Sequence, residues 1–376
     1  HSIQTTYASN DANEVLYLND QSVNPQYYAP HTLMKVITTD PKGRRSIIYT
    51  DKLGRAIMSK QELDNDWVET YTLYNDFGAI RAVLRPAKIA EMKQGNNYDY
   101  QQGGKFHYEY RYDDLLRLIK KELPDLIRHW YVYDHLDSLV ATQDNNQRLK
   151  GEWSITKYDK YGRSILQALY SSNFSPYDMQ AYYDQQTVVF ESKAISNTGY
   201  TNTIPVLAAN DPVLTVQYYD DYDFDRDGQV DPQNNFIAQN GYANAYFNRL
   251  NGLQTGSKIL VLDGTGKYLN ETIFYDERGR IVQSRSNNNL LGEERRHMAY
   301  DFTGNIIKSY YHHYSYPEEI NEQQIRVEEF FTYDHANRLL QVEHKIDEQD
   351  KVILADHQYD VLGRLKVKNL NSTNEG

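Results

Sequence analysis

The chain has 376 residues, with 40 Lys+Arg against 52 Asp+Glu and a net charge of −12. That balance, with no basic run longer than two or three residues, argues against nucleic acid and anionic membranes, both of which are held by clustered Lys and Arg. The absence of cysteine removes disulfide frameworks and thiolate metal sites, and no stretch approaches the ~20 apolar residues of a membrane-spanning helix.

Mean hydropathy is −0.77, yet 35 Tyr stand against 11 Phe and 3 Trp. Disordered chains are poor in aromatics. Tyrosine favours strands and suits surfaces that are apolar on one side and wet on the other. The composition therefore predicts an ordered β protein.

In chain order, "HSIQTTYASN" opens without Met or an apolar signal core. It reads as a mature product or an excised piece, with a lead-in over residues 1–32. A first repetitive block covers residues 33–166. It holds "YNDFGAI" from Tyr74, "YDDLLRL" from Tyr112 and Asp113, "YDHLDSL" from Tyr133 and Asp134, and "YDKYGRS" from Tyr158 and Asp159 to Gly162 and Arg163. A degenerate "TDKLGRA" puts Thr50 in the aromatic slot. An insert follows over residues 167–270.

A second block covers residues 271–368. It holds "YDERGRI" (Tyr275, Asp276, Gly279, Arg280), "YDFTGNI" (Tyr300, Asp301, Gly304), "YDHANRL" (Tyr333, Asp334, Arg338) and "YDVLGRL" (Tyr359, Asp360, Gly363, Arg364). A tail of residues 369–376 ends the chain. Steps from Tyr133 to Tyr158 and from Tyr275 to Tyr300 are 25 residues, a period that fits a two-strand unit. "RPAKIAEMK" after Arg85 and "SPYDMQAYYDQQ" after Ser175 are the helix candidates, each with a proline near its start.

Each position of the repeat has a role in a strand–turn–strand unit. Tyr ends a strand and lays its ring on a neighbour. Asp accepts backbone N–H groups in the turn. Gly supplies positive φ, and the Arg stacks on an aromatic ring of an adjacent repeat. Asp137 and Asn337 can replace that Gly. Leu116 cannot, so the Tyr112 copy is expected to make a different turn.

These repeats resemble the YD repeats of Rhs proteins, which also occur in the BC component of Tc toxins and in teneurins. "ITTDPKGRRSIIYTDKLGRAI", "YDHLDSLVATQDNNQRLKGEWSITKYDKYGRSI" and "VLTVQYYDDYDF" look most like the large Rhs-type proteins of Bacteroidota. The resemblance runs from about Leu33 to Lys368. It implies an all-β fold, a curved or spirally wound antiparallel sheet forming part of a hollow shell, and in several members that shell encloses a toxin or other variable domain. The core-end motif of cargo-releasing members, with its cutting aspartates, is not found in this sequence. Nine repeats also look too few to close a shell alone.

The resemblance implies a non-enzymatic scaffold segment of a secreted or cell-surface bacterial protein. Its expected partners are the remainder of a longer chain or an enclosed cargo polypeptide, together with secretion or surface-anchoring proteins; type IX export is a guess from the resemblance alone. The alternatives are a surface adhesin or glycan-binding module, with Trp67, Trp130 and Trp153 as the side chains to inspect, although Trp130 and Trp153 closely precede a repeat, which favours packing, and, less favoured, a hydrolase. No catalytic residue is assigned.

One cofactor is a candidate. "DFDRDGQVDPQN" places Asp223, Asp225 and Asp227 at positions 1, 3 and 5 of a calcium loop and Gly228 at 6. Gln229 would offer its carbonyl and Asp231 would reach at position 9. Asn234 stands where a bidentate Glu is wanted, and Pro232 opposes a following helix, so the alternative is an exposed acidic loop. His312 and His313 are adjacent on a strand and face opposite sides. "DGTGKY" at Asp263 reads as a hairpin turn, without the full phosphate-loop spacing.

Overall fold

A computed structural model of the chain describes residues 3–18, 24–64, 66–104, 106–315 and 323–371. Among them the fold is all-β, built from antiparallel strands. The chain divides into two compact units, His1–Ser154 with Ser171–Gln186, and Ile155–Tyr170 with Thr187–Gly376.

The first unit holds β1 (Gln4–Ser9), β2 (Met34–Thr39), β3 (Arg45–Thr50), β4 (Ala56–Leu63), β5 (Asp66–Tyr74), β6 (Ile80–Leu84), β7 (His107–Tyr112), β8 (Leu118–Leu123), β9 (Ile127–Tyr133) and β10 (Leu139–Gln143). Each pairs antiparallel with the next, from β1–β2 through β9–β10. The chain passes between the units in β11 (Glu152–Tyr158) and at the end of β12 (Ser164–Ser171).

The second unit continues with β13 (Val213–Asp220), β14 (Leu250–Leu260), β15 (Tyr268–Tyr275), β16 (Ile281–Asn287), β17 (Glu293–Tyr300), β18 (Ile306–Ser315), β19 (Gln323–Tyr333), β20 (Leu339–Ile346), β21 (Val352–Tyr359) and β22 (Leu365–Leu370). From β12 onward each again pairs with its successor. The predicted tail falls outside the described residues from 372 onward, as does part of the lead-in.

Both expected helices form, as α1 (Pro86–Gly95) and α3 (Pro176–Asp184). Between them lies α2 (Asn145–Lys150), which the sequence reading passed over. Its end signals are visible in hindsight. Asp144 and Gln147 form a reciprocal capping box, and Gly151 closes the helix at φ 66°.

Strand alternation puts Ile47, Tyr49, Tyr71, Leu73, Ala82 and Leu84 on one buried face of the first unit, with Ile89 and Met92 of α1 and Val15 and Leu16 of the N-terminal segment packed there too. In the second unit Tyr218 stacks on Phe224 at 4.2 Å, and Tyr222 on Phe274 at 4.8 Å. Gly199 sits at φ +72°, where a Cβ would lie 1.9 Å from the Phe224 carbonyl oxygen, so only glycine lets the 196–200 segment approach this core.

One expectation is corrected. Leu116 does not mark a different turn. It adopts φ 62° and its N–H donates to the Asp113 carbonyl at 3.0 Å, in the same turn that Gly162 makes with Asp159. The turn's side-chain hydrogen bonds outweigh the ~1–2 kcal/mol that an L-residue loses in the left-handed region. Leu116 is 43% exposed and has little packing to lose. Leu116→Gly is therefore expected to raise stability by up to about 1 kcal/mol, net of the extra freedom glycine has in the unfolded chain. Urea unfolding would read this as a higher midpoint at unchanged slope; a lower midpoint would refute it.

Candidate functional site

The repeated turn is the recurrent polar construction of this molecule. In the Tyr158 copy, Asp159 Oδ1 accepts the N–H groups of Tyr161 and Arg163 at 2.9 and 3.0 Å, and Oδ2 accepts Arg163 Nε at 2.7 Å. The Asp159 N–H donates to the Arg163 carbonyl, which closes the turn. The same bonds recur from Asp51, Asp113, Asp276, Asp334 and Asp360 to the arginine four residues on. For Asp276, burial works upward, but the Arg280 N–H and guanidinium hold its carboxyl below the usual range.

Successive turns are tied to each other. The guanidinium of one repeat lies over the tyrosine ring of the next: Arg55 on Tyr74 at 4.9 Å, Arg117 on Tyr133 at 4.9 Å, Arg280 on Tyr300 at 4.5 Å and Arg338 on Tyr359 at 4.8 Å. Each of these tyrosines also donates its hydroxyl to the carbonyl just after that arginine, on Ala56, Leu118, Ile281 and Leu339. Tyr112 and Tyr333 bond Ile80 and Ile306 in the same way. Ring and hydroxyl together form a clasp between neighbouring hairpins.

Sequence reasoning missed three members of this system. Asp40 with Arg44, in "TDPKGRR", makes the turn without a tyrosine. Asn288 accepts the N–H groups of Leu290 and Gly292, with Leu291 at φ 59°. Inside the insert, Tyr219 takes the tyrosine's place for Arg163: the ring lies 4.3 Å from the guanidinium and the hydroxyl bonds the Ser164 carbonyl. "YYDD" was the available signal, but Asp223 and Phe224 stand where the repeat has its glycine and arginine. Tyr275 departs from the pattern and donates to Gln254. Asp134 also departs. Its turn has Ser138 where the arginine belongs, and its Oδ2 is buried without a hydrogen-bond partner.

No protein-family model matches the chain, and no curated protein matches it. Among solved structures it is similar to a chain of the TcdB2-TccC3 crystal structure, with 14% identity over 90% of this chain and 17% of that one and a TM-score of 0.37. A Photorhabdus luminescens Tc holotoxin pore matches at 12% identity over 92% and 24%, TM-score 0.29. The TcdB2-TccC3-Cdc42 structure gives 12%, 91%, 23% and 0.30. The chain thus spans about a quarter or less of the length of these chains, and TM-scores in this range carry no argument about its role.

The Asp-rich loop follows β13. One oxygen from each of Asp223, Asp225 and Asp227 lies within 4.8 Å of the others. Backbone bonds shape the loop: the Gly228 N–H donates to Asp223 Oδ2, Asp227 N–H to Asp225, and Gln229 N–H to Asp227. Asp223 Oδ1 is shielded from water and has no hydrogen-bond partner. Burial and the charges of Asp225, Asp227 and Asp223 raise the pKa of Asp231, so position 9 does lie beside the cluster. Asn234 turns its Oδ1 to the Thr272 hydroxyl at 3.0 Å and its Nδ2 to Asp231 Oδ2 at 3.5 Å. Residues Pro232–Asn234 make one 3-10 turn, so no EF-hand helix follows. An oxygen-lined calcium loop in a β setting fits these residues; a full EF-hand does not.

The remaining candidates are occupied by packing. Trp153 is fully buried. Trp67 carries Arg45 and Lys60 over its ring at 5.2 Å each, and Trp130 meets Tyr177 edge-on at 6.1 Å. His313 binds Glu294 at 2.6 Å, while His312 faces Gln324. Asp263 accepts the Thr265 N–H and hydroxyl inside a turn. A cavity of about 900 Å³ with a mixed lining opens in the second unit; Asn202, Asn270 and Tyr268 line it together with Leu166, Val216 and Phe224.

Proposed function

We propose that this chain is a wall segment of an Rhs-like, YD-repeat β-shell, in a secreted or surface-exposed bacterial protein that encloses, presents or delivers another polypeptide. The observation that carries the proposal is the clasp, which at Tyr74, Tyr133, Tyr219, Tyr300 and Tyr359 ties neighbouring hairpins by an arginine stack and a tyrosine hydroxyl. Such a device suits a large curved sheet, since it links repeats along one edge at a spacing set by the strands alone. No residue in this reading acts as a catalyst. The Bacteroidota likeness and type IX export belong to the proposal through the motif resemblance only.

The test is electron cryo-microscopy of the full natural polypeptide with whatever co-purifies. A β wall around internal density supports enclosure. An open sheet with nothing inside would reject it and favour the adhesin reading, for which the open cavity lined by Tyr268, Asn202 and Asn270 speaks. A glycan array without hits would remove that second reading.

Calcium is proposed as a structural ion of the Asp223–Asp231 loop. The carrying observation is Asp223 Oδ1, a shielded carboxylate oxygen lacking any protein partner within a cluster of like charges. A buried unpaired acceptor costs about 1–3 kcal/mol, and a hard cation with oxygen ligands removes that cost. Millimolar calcium is expected to raise the melting temperature above that in chelator by a few degrees, as saturating ligand does, and Asp225→Asn should reduce the shift. Identical melting in both buffers would refute the ion.

A further inference from the structure

A buried lysine and glutamate meet an exposed asparagine in the second unit. Lys157, on β11, has a side chain 1% exposed, and Glu191 has one 2% exposed. Lys157 Nζ lies 2.7 Å from Glu191 Oε1 and 2.9 Å from Asn202 Oδ1. We propose that Lys157 and Asn202 join in an intramolecular isopeptide bond, with Glu191 as the proton carrier of the reaction.

The geometry supplies the parts of an acyl transfer. The Asn202 amide is held on both sides by Leu207: its Oδ1 accepts the Leu207 N–H at 2.9 Å and its Nδ2 donates to the Leu207 carbonyl at 2.9 Å. Those two bonds fix which end of the amide faces Lys157. They also leave the Leu207 N–H in place to stabilise the oxyanion that develops on Oδ1. Glu191 is anchored by the Thr203 N–H and hydroxyl and by the Ile204 N–H. Burial lowers the Lys157 pKa, which increases its share of nucleophilic amine.

The step balances without a co-reactant. Glu191 takes one proton from the Lys157 ammonium. The freed amine attacks Asn202 Cγ; in the tetrahedral intermediate a second proton passes from the attacking nitrogen to the amide nitrogen, which is expelled as ammonia, receives the proton from Glu191 and leaves as ammonium. One N–C bond forms and one breaks, and the charge is conserved. Asn202 lines the open cavity, so ammonia has an exit. The hydrogen bonds that hold Glu191 anionic make this proton transfer slow. A single turnover per chain, helped by enforced proximity and by loss of the product to solvent, tolerates a slow step. The resulting link would close the chain from residue 157 to residue 202 and resist unfolding of the insert, as a disulfide does by limiting the unfolded state.

Intact-mass analysis of the purified 376-residue chain tests it. The expected result is a mass ~17 Da below that of the sequence, one ammonia lost, with a branched proteolytic peptide joining Lys157 to Asn202. Asn202→Ala and Glu191→Gln should each restore the full mass expected for the variant, and circular dichroism would show whether each variant still folds. Should Glu191→Gln fail to fold, the wild-type peptide map still decides. A wild-type chain at full mass, with Lys157 and Asn202 recovered in separate linear peptides, overturns the proposal. So does an ammonia loss that maps to any other residue.

Discussion

Replacing Trp153 by alanine is expected to cost about 3–5 kcal/mol, the range for removing a fully buried large aromatic. Trp153 is among the largest side chains with no exposure at all. It lies on β11, whose burial alternates strictly, with Trp153, Ile155 and Lys157 inward and the residues between them half-exposed. The indole Nε1 is buried without a hydrogen-bond partner, so the ring contributes through packing and apolar burial alone. Trp153→Phe should therefore cost less than half as much as alanine, because it keeps most of the ring volume and removes an unsatisfied donor. Urea unfolding followed by far-UV circular dichroism reads both variants. An alanine variant within about 1 kcal/mol of wild type would contradict the buried position, since exposed substitutions fall in that range.

Arg163→Ala is expected to cost about 2–4 kcal/mol, somewhat below the range for breaking a fully buried ion pair because the arginine is 20% exposed. Arg163 binds Asp220 with two parallel bonds of 3.0 and 2.8 Å, Asp159 at 2.7 Å, and the Tyr219 ring at 4.3 Å. Removing it leaves Asp159 without its guanidinium and Asp220 with only the more distant Lys193 ammonium at 3.7 Å. Lysine should rescue only part of the loss, since a point charge cannot reproduce the fork.

The effect has a pH signature. Hydrogen bonding to Arg163, against the opposing effect of burial, holds Asp220 down from 3.8 to about 2. A depressed carboxylate stabilises fully above its unfolded value and loses that contribution as pH falls through the folded one. The stability gap between wild type and Arg163→Ala should therefore narrow as the pH is lowered from about 4 to about 2. A gap independent of pH across that window would show that the lost stability came from packing and not from the charge pair.

Much of the repeat was legible from residue types. Asp159, Gly162 and Arg163 announce a turn because each does a local job within five residues, and local jobs leave a contiguous signal. The same holds for Pro86 and Pro176 at helix starts. The Asn288 turn was not legible, since it has no tyrosine, aspartate or arginine and uses Leu291 at positive φ. Nor was the part played by Tyr219, whose partner Arg163 lies 56 positions earlier in the chain. Asp223, Asp225 and Asp227 were found by spacing, but the missing partner of Asp223 Oδ1 depends on what surrounds the loop.

The sequence by itself determined the all-β character, the place of the principal turns and the residues that close each one, because those interactions are made within a hairpin. Tertiary structure alone decided which tyrosine each arginine meets and that Trp153 is buried with no exposure at all. It also brought Lys157, Glu191 and Asn202 together. These outcomes depend on contacts between segments far apart in sequence, where pairing and packing energies override local preference.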